Sequence, residues 1–341
     1  MSLIPPIPPI VLWGSFITII LLMLVVDLAV FHRKHRAISI KEALIWTAVW
    51  IISALLFNVF VWLEFGREAA LQFLTGYLIE KSLSVDNLFV ILIIFAGLKI
   101  EPKFQHEVLF WGIVGALIMR GALIIVGTAL VERFHWILYL FGAFLLYAAY
   151  KILVKRDEEF DPHESGILRM IHRVVPVRRN HGDGAFVRRK NGRLGITILL
   201  IALLVIEVTD LVFAFDSIPA IFAITTNPFI VFTSNIFAIL GLRSLYFVIA
   251  KAHGLFEYLN VGLAVVLAFI GCKMLLDWWI HIPILVSLAI IISVLAAAMT
   301  LSVSHQRRIQ REEARARQRG IREEARRRIA RRAERLPASD D

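Results

Sequence analysis

Glu207-Val-Thr-Asp-Leu-Val-Phe-Ala-Phe-Asp-Ser-Ile-Pro-Ala220 decides how this chain is read. It lies inside an apolar run that begins near Leu194 and is long enough to cross a bilayer. Three carboxylates, Glu207, Asp210 and Asp216, stand where hydrocarbon is expected. A carboxylate at mid-membrane costs at least roughly 2.5–3.5 kcal/mol on insertion scales, so several in one span argue for a functional reason. Pro219 is a second departure: it lacks an amide hydrogen, and its ring crowds the carbonyl of Phe215. A kink or break is therefore predicted at Pro219, freeing backbone oxygens beside Asp216. Such oxygens are tolerated at membrane depth only against protein or a water-filled cavity. Acidic side chains, the hydroxyls of Thr209 and Ser217, and free carbonyls together point to a cation site.

The same device occurs earlier, in Glu80-Lys-Ser-Leu-Ser-Val-Asp-Asn-Leu-Phe-Val90. Aligning Asp86-Asn87 with Asp216-Ser217 sets Glu80 opposite Asp210, because each acidic pair is six residues apart. The repetition extends downstream. Each acidic helix is followed by a span with a buried arginine, Arg120 or Arg243, and then by a plain apolar span ending near Lys151 or Lys273. The repeat unit is three helices.

Composition agrees with a membrane protein. Of 341 residues, 59% are hydrophobic, and the mean hydropathy is +0.75. The net charge of +10 would suggest nucleic acid in a soluble protein. In a membrane protein it is the ordinary charge of cytoplasmic loops, so no nucleic-acid partner is expected. The single cysteine, Cys272, excludes an intrachain disulfide or a thiolate cluster. The first apolar run, Ile10–Phe31, is too long for the h-region of a cleaved signal and reads as a retained span. Asp27 near its end is either a polar-face or a functional residue.

The fold class is all-α, a polytopic membrane protein of about nine transmembrane helices. The spans run about 10–31, 42–63, 73–97, 107–130, 134–154, 194–223, 229–250, 255–276 and 281–303. The chain divides into two N-terminal spans (1–72), a first three-helix repeat (73–154) and a basic loop (155–193). A second repeat (194–276), a last span (277–303) and a basic tail (304–341) complete it. The basic segments, from His32–Arg36 to the tail, fall on alternate sides of the spans and so on one face of the membrane. This places the N-terminus outside and the C-terminus in the cytoplasm. Three spans per repeat is an odd number, so the second copy enters the membrane upside down. That is the inverted-repeat plan of secondary transporters, with substrate bound near the midplane.

Every candidate ligand is an oxygen, from carboxylates, the Asn87 amide, hydroxyls or main-chain carbonyls. Oxygen-only ligation suits Mg2+, Ca2+ or Mn2+. Glu207 and Asp210 share a helical face, as do Glu80, Ser84 and Asn87. Asp86 and Asp216 fall about 120° from Glu80 and Asp210 on an unbroken helix. The bland alternative is that the acids pair with Arg120, Arg243 or Lys81 to hold helices together. The arginines serve either as such anchors or as displacers of the cation. Lys81 is either a helix-interface residue or an internal counter-cation. Carboxylates in excess of one divalent ion's needs suggest proton coupling. The Arg-rich tail reads as a solvated helix or disorder, or as an attachment to anionic lipid at ~1 kcal/mol per basic residue. No Gly-x-Ser-x-Gly or His-Glu-x-x-His motif is present, so an enzyme is not expected.

The two acidic segments resemble the signature segments of the TerC family of integral membrane proteins. Thr-Ser-Asn235-Ile-Phe-Ala-Ile-Leu-Gly-Leu-Arg243-Ser-Leu-Tyr also matches, and is similar to the Alx-like branch in particular. The resemblance covers roughly residues 10–303. It implies bacterial inner-membrane manganese export, related to the LysE-type transporters, and an older label of tellurium or oxyanion resistance. It also implies that Glu80, Asp86, Asn87, Glu207, Asp210, Asp216 and Ser217 ligate the metal. Lys81, Arg120, Arg243 and Pro219 would serve gating or charge balance. An accessory protein that binds metal and supports metalation of exported metalloenzymes is the second expectation.

Overall fold

The computed structural model describes residues 7–32, 39–154, 186–190, 193–251, 258–280 and 282–333. The elements are α1 (Pro9–His32), α2 (Ile40–Gly97), α3 (Pro102–Arg133), α4 (Ile137–Val154), β1 (Val187–Lys190) and β2 (Arg193–Ile196). They continue with α5 (Ile198–Phe222), α6 (Pro228–Ile239), α7 (Leu242–Lys251), α8 (Leu259–Leu276) and α9 (Ile284–Ala333). Among the described residues, eight helices are long and apolar enough to cross a membrane, with α6 and α7 together forming one of them.

The α2 helix explains how eight helices supply nine crossings. Its 58 residues would span about 87 Å if straight, against a hydrocarbon core of about 30 Å. It is interrupted at Gly66, whose φ of +87° and ψ of 178° suit only glycine. The halves fold back on each other there. The Phe57 and Phe73 rings meet at 5.5 Å, and Trp50 and Lys81 both reach Gly241. The stretch around Gly66, between the expected spans 42–63 and 73–97, is therefore a turn, and the halves are the second and third spans. At the other end, Ser39 caps α2 by accepting from the Glu42 amide at 3.2 Å, which satisfies one free donor of the first turn.

Lipid rather than water explains the outer surface. Leu12, Phe16, Ile20 and Leu24 recur every four residues of α1 and are buried. Phe16 packs against Phe57 and Phe229, with centroids at 5.4 and 5.8 Å. On the other faces of α1, Ile10, Ile17, Leu21, Leu22 and Val25 are equally apolar but exposed. On α3, Ile118 and Ile125 are each 69% exposed while Arg120 on the opposite side is 0% exposed. A helix apolar on its outer face and polar inside is at home in a bilayer.

The repeats exchange partners. The third helices, α4 and α8, pack together; the first helix of each repeat packs on the second of the other, α2 on α6 and α3 on α5. Two copies related by a twofold axis would pair in this way. At the α4–α8 crossing the backbones nearly touch. A Cβ on Gly271 would lie 2.8 Å from the Gly142 carbonyl oxygen, and one on Gly142 would lie 3.1 Å from that of Gly271.

One expectation needs correction. α5 runs unbroken through Pro219 and ends at Phe222. Lying in the last turn, Pro219 removes one helical hydrogen bond, that to the Phe215 carbonyl, without a break. The interruption falls instead at Leu240–Gly241, between α6 and α7. α9 continues unbroken from the last span into the tail, in keeping with the helical reading of the tail. The end of the basic loop is a hairpin, with Val187 paired to Ile196 and Lys190 to Arg193. Residues 33–36 and 155–185, with His253 and His281, lie outside the described residues, as do the side chains of Asp27 and of most of the tail.

The α4–α8 crossing yields a stability test. Gly271→Val should destabilise the purified protein by about 1–3 kcal/mol through overpacking, read as a lower thermal midpoint in detergent. Cys272→Val, at the exposed neighbouring position, should leave the midpoint unchanged.

Candidate cation site

Arg120 stands at the centre of the polar interior. Its Nε and Nη2 donate to the two carboxylate oxygens of Asp210 at 3.0 and 2.8 Å. Its Nη1 donates to Glu80 Oε1 and reaches Ser217 Oγ at 3.4 Å. Glu80 is further satisfied by Asn235 Nδ2, at 3.0 Å, and by the Ser84 hydroxyl, at 3.5 Å. One guanidinium thus binds one carboxylate from each motif. The forked pairing with Asp210 is the strong geometry for this ion pair. For Glu80, Asp210 and Arg120 the anchoring alternative describes the arrangement.

The other half of each motif faces elsewhere. Asp86 and Asn87 of α2, Asp216 and Ser217 of α5, and Tyr147 and Lys151 of α4 line one cavity of about 580 Å³. Asp216 lies within electrostatic reach of both Asp86 and Lys151. Asn87 is 6% exposed, and its amide nitrogen has no hydrogen-bond partner. A buried amide without a partner is costly, and a ligand in the cavity would satisfy it. Ser217 joins the two environments, since it lines the cavity and also meets Arg120. A smaller hollow of about 40 Å³, room for a water or two, lies beside Asp210 and Thr209. Asn87 and Phe213 line both hollows.

The seven candidate ligands are therefore distributed rather than gathered in one shell. Among the described residues no group of three or more His, Cys, Asp or Glu side chains is close enough to hold a metal. Asp86, Asn87, Asp216 and Ser217 share the cavity, and Glu80 and Asp210 share Arg120. Glu207 is half-buried in the space left by the missing side chain of Gly115 on α3, with Oε2 lacking a partner. Lys81 donates to the Ala238 carbonyl at 3.1 Å, so it serves the end of α6 at the Leu240–Gly241 interruption. Cations favour such C-terminal carbonyls. The Arg243 guanidinium lies over the Phe110 ring at 5.9 Å, away from the position that Arg120 takes.

Two contributors escaped the sequence reading. Asn235 sits eight residues before Arg243 with no acidic neighbour to mark it. Lys151 passed for an ordinary basic residue at a helix end; its spacing of four from Tyr147, which puts both on one face, was the available signal. The cavity's donors are two carboxylates, an amide and a hydroxyl, which fit a hard divalent cation.

Removing Arg120 leaves the buried Glu80 carboxylate and the half-buried Asp210 carboxylate without their cation. Arg120→Met should cost about 3–5 kcal/mol, the scale for breaking a buried ion pair from one side. Adding Glu80→Gln and Asp210→Asn should recover part of the loss. Thermal unfolding of the three proteins in detergent measures it.

Comparison with known proteins agrees with this architecture. Residues 65–310 match the Integral membrane protein TerC family. An uncharacterized membrane protein of Myxococcus xanthus, STKORF319, is 50% identical over 296 residues, 87% of this chain and 93% of the relative. Alx of Salmonella typhi, which carries the name of a putative membrane-bound redox modulator, is 43% identical over 87% of this chain and 95% of its own length. The protein of that name from Escherichia coli K12 is 42% identical over 85% of this chain and 94% of its own length. No solved structure matches. The chain is a multi-span integral membrane protein, and it belongs to the TerC family.

Proposed function

We propose that this chain exports a hard divalent cation, Mn2+ foremost, through the cavity between α2, α4, α5 and α8. One observation carries the reading: Asp86 and Asp216, the second acid of each motif, line the same cavity with Asn87 and Ser217. Glu80 and Asp210 hold the helices through Arg120 instead of ligating the ion. In this reading the chain sits in the inner membrane, N-terminus outside, and its basic tail lies on the cytoplasmic face, where anionic lipid would attract it. Asn87 and Phe213, which line both hollows, stand on the ion's route past Asp210.

A second reading is an accessory membrane protein that binds metal in this cavity and supports metalation of exported metalloenzymes; the Alx relatives are named for redox modulation and not for transport. A dithiol couple within one chain is excluded here, because Cys272 is the single cysteine. An oxyanion cargo fits poorly: two carboxylates and one lysine in the cavity have the wrong balance of charge.

Expression of the intact protein should lower cellular manganese, and Asp86→Asn and Asp216→Asn should each abolish the effect. Two variants that lower manganese as the parent does would remove the site assignment. Purified protein alone in liposomes separates the readings, since Mn2+ flux without partners requires a transporter. An imposed pH gradient that changes the flux would establish proton coupling.

A further inference from the structure

Lys151 shares the proposed cation cavity with Asp86 and Asp216. It lies in the last turn of α4, one helical turn beyond Tyr147, which lines the same cavity. Among the described residues that line this cavity it is the sole lysine or arginine. An ammonium on a four-carbon stem has three donors and no acceptor, so it cannot ligate a metal. It competes with one. Leu83, Phe144, Phe213, Leu263 and Leu267 form apolar walls around the two half-buried acids, where repulsion between carboxylates is only partly screened.

We infer that Lys151 is the site's built-in counter-cation: its ammonium balances Asp86 and Asp216 when no metal is bound and is displaced by the arriving ion. This rests on the cavity being the cation site. Two ionised carboxylates and one ammonium leave a formal charge of −1. A monovalent ion that displaces Lys151 gains nothing over it. A divalent ion neutralises both acids at once. Lys151 therefore sets the discrimination of divalent from monovalent cations and, by returning to the acids, favours release. The Asn87 amide nitrogen, buried and without a partner in the same cavity, remains to donate to a water of the ion's hydration shell.

The test is Mn2+ titration of purified full-length protein, with free Mn2+ read by electron paramagnetic resonance. Lys151→Met and Lys151→Gln should each tighten Mn2+ binding about tenfold, the effect of removing one like charge from a partly screened site. In both variants Na+ should compete with Mn2+, whereas in the parent it should not. Lys151→Arg should bind as the parent does. Loss of a merely structural lysine would weaken binding or leave it alone. Equal or weaker binding in Lys151→Met and Lys151→Gln, with binding abolished by Asp216→Asn, overturns the counter-cation while sparing the site. Parent protein that binds no Mn2+, or Asp216→Asn that binds as the parent does, overturns the site and the counter-cation together.

Discussion

A guanidinium with no exposed surface, held between carboxylates from two different repeats, is the constraint on which the interior depends. A charge removed from water needs partners of fixed geometry. Arg120 finds them on α2 and α5 while itself belonging to α3, and Asn235 of α6 completes the shell of Glu80. Four helices are thereby locked at one level. Large apolar side chains fill the space around this centre and continue outward to lipid.

The six-residue spacing within each motif follows from the same requirement. Six residues advance an ideal helix by about 1.67 turns, so the second acid faces about 120° away from the first. Glu80 and Asp210 turn to the arginine, and Asp86 and Asp216 are left facing the neighbouring cavity. No helix break is needed to aim Asp216. One motif thus supplies a structural acid and a cavity acid, and its repetition supplies two of each.

Much of this was legible in the sequence. Apolar run length located the spans because the bilayer fixes how long a helix must be, and the paired motifs marked the polar interior because charge is scarce there. Which acid would take the arginine was not legible, since helical geometry gives relative faces but not which neighbour lies on each. Pro219 misled because a proline deletes a single backbone bond, and with the helix ending three residues later no further turn has to be realigned around it. The interruption at Leu240–Gly241 carries no proline, and the glycine before Leu242 resembles many glycines in membrane helices. Lys151 and Asn235 matter through tertiary proximity, which a linear pattern does not contain.

The turn of α2 that bears Glu80 and Lys81 has a mechanical consequence. Consecutive residues grip α6 at two places, Glu80 through the Asn235 amide and Lys81 through the Ala238 carbonyl. Sliding of α6 along α2 would sever both grips together, so these segments travel as one piece. Beyond Leu240–Gly241 neither grip extends, and α7 is held by other contacts, Thr47 in the first half of α2 donating to Ser244 at 3.1 Å and Tyr246 donating to Gln105 of α3 at 3.0 Å. The discontinuity marks a seam between a segment clamped to the second half of α2 and one tied to its first half and to α3.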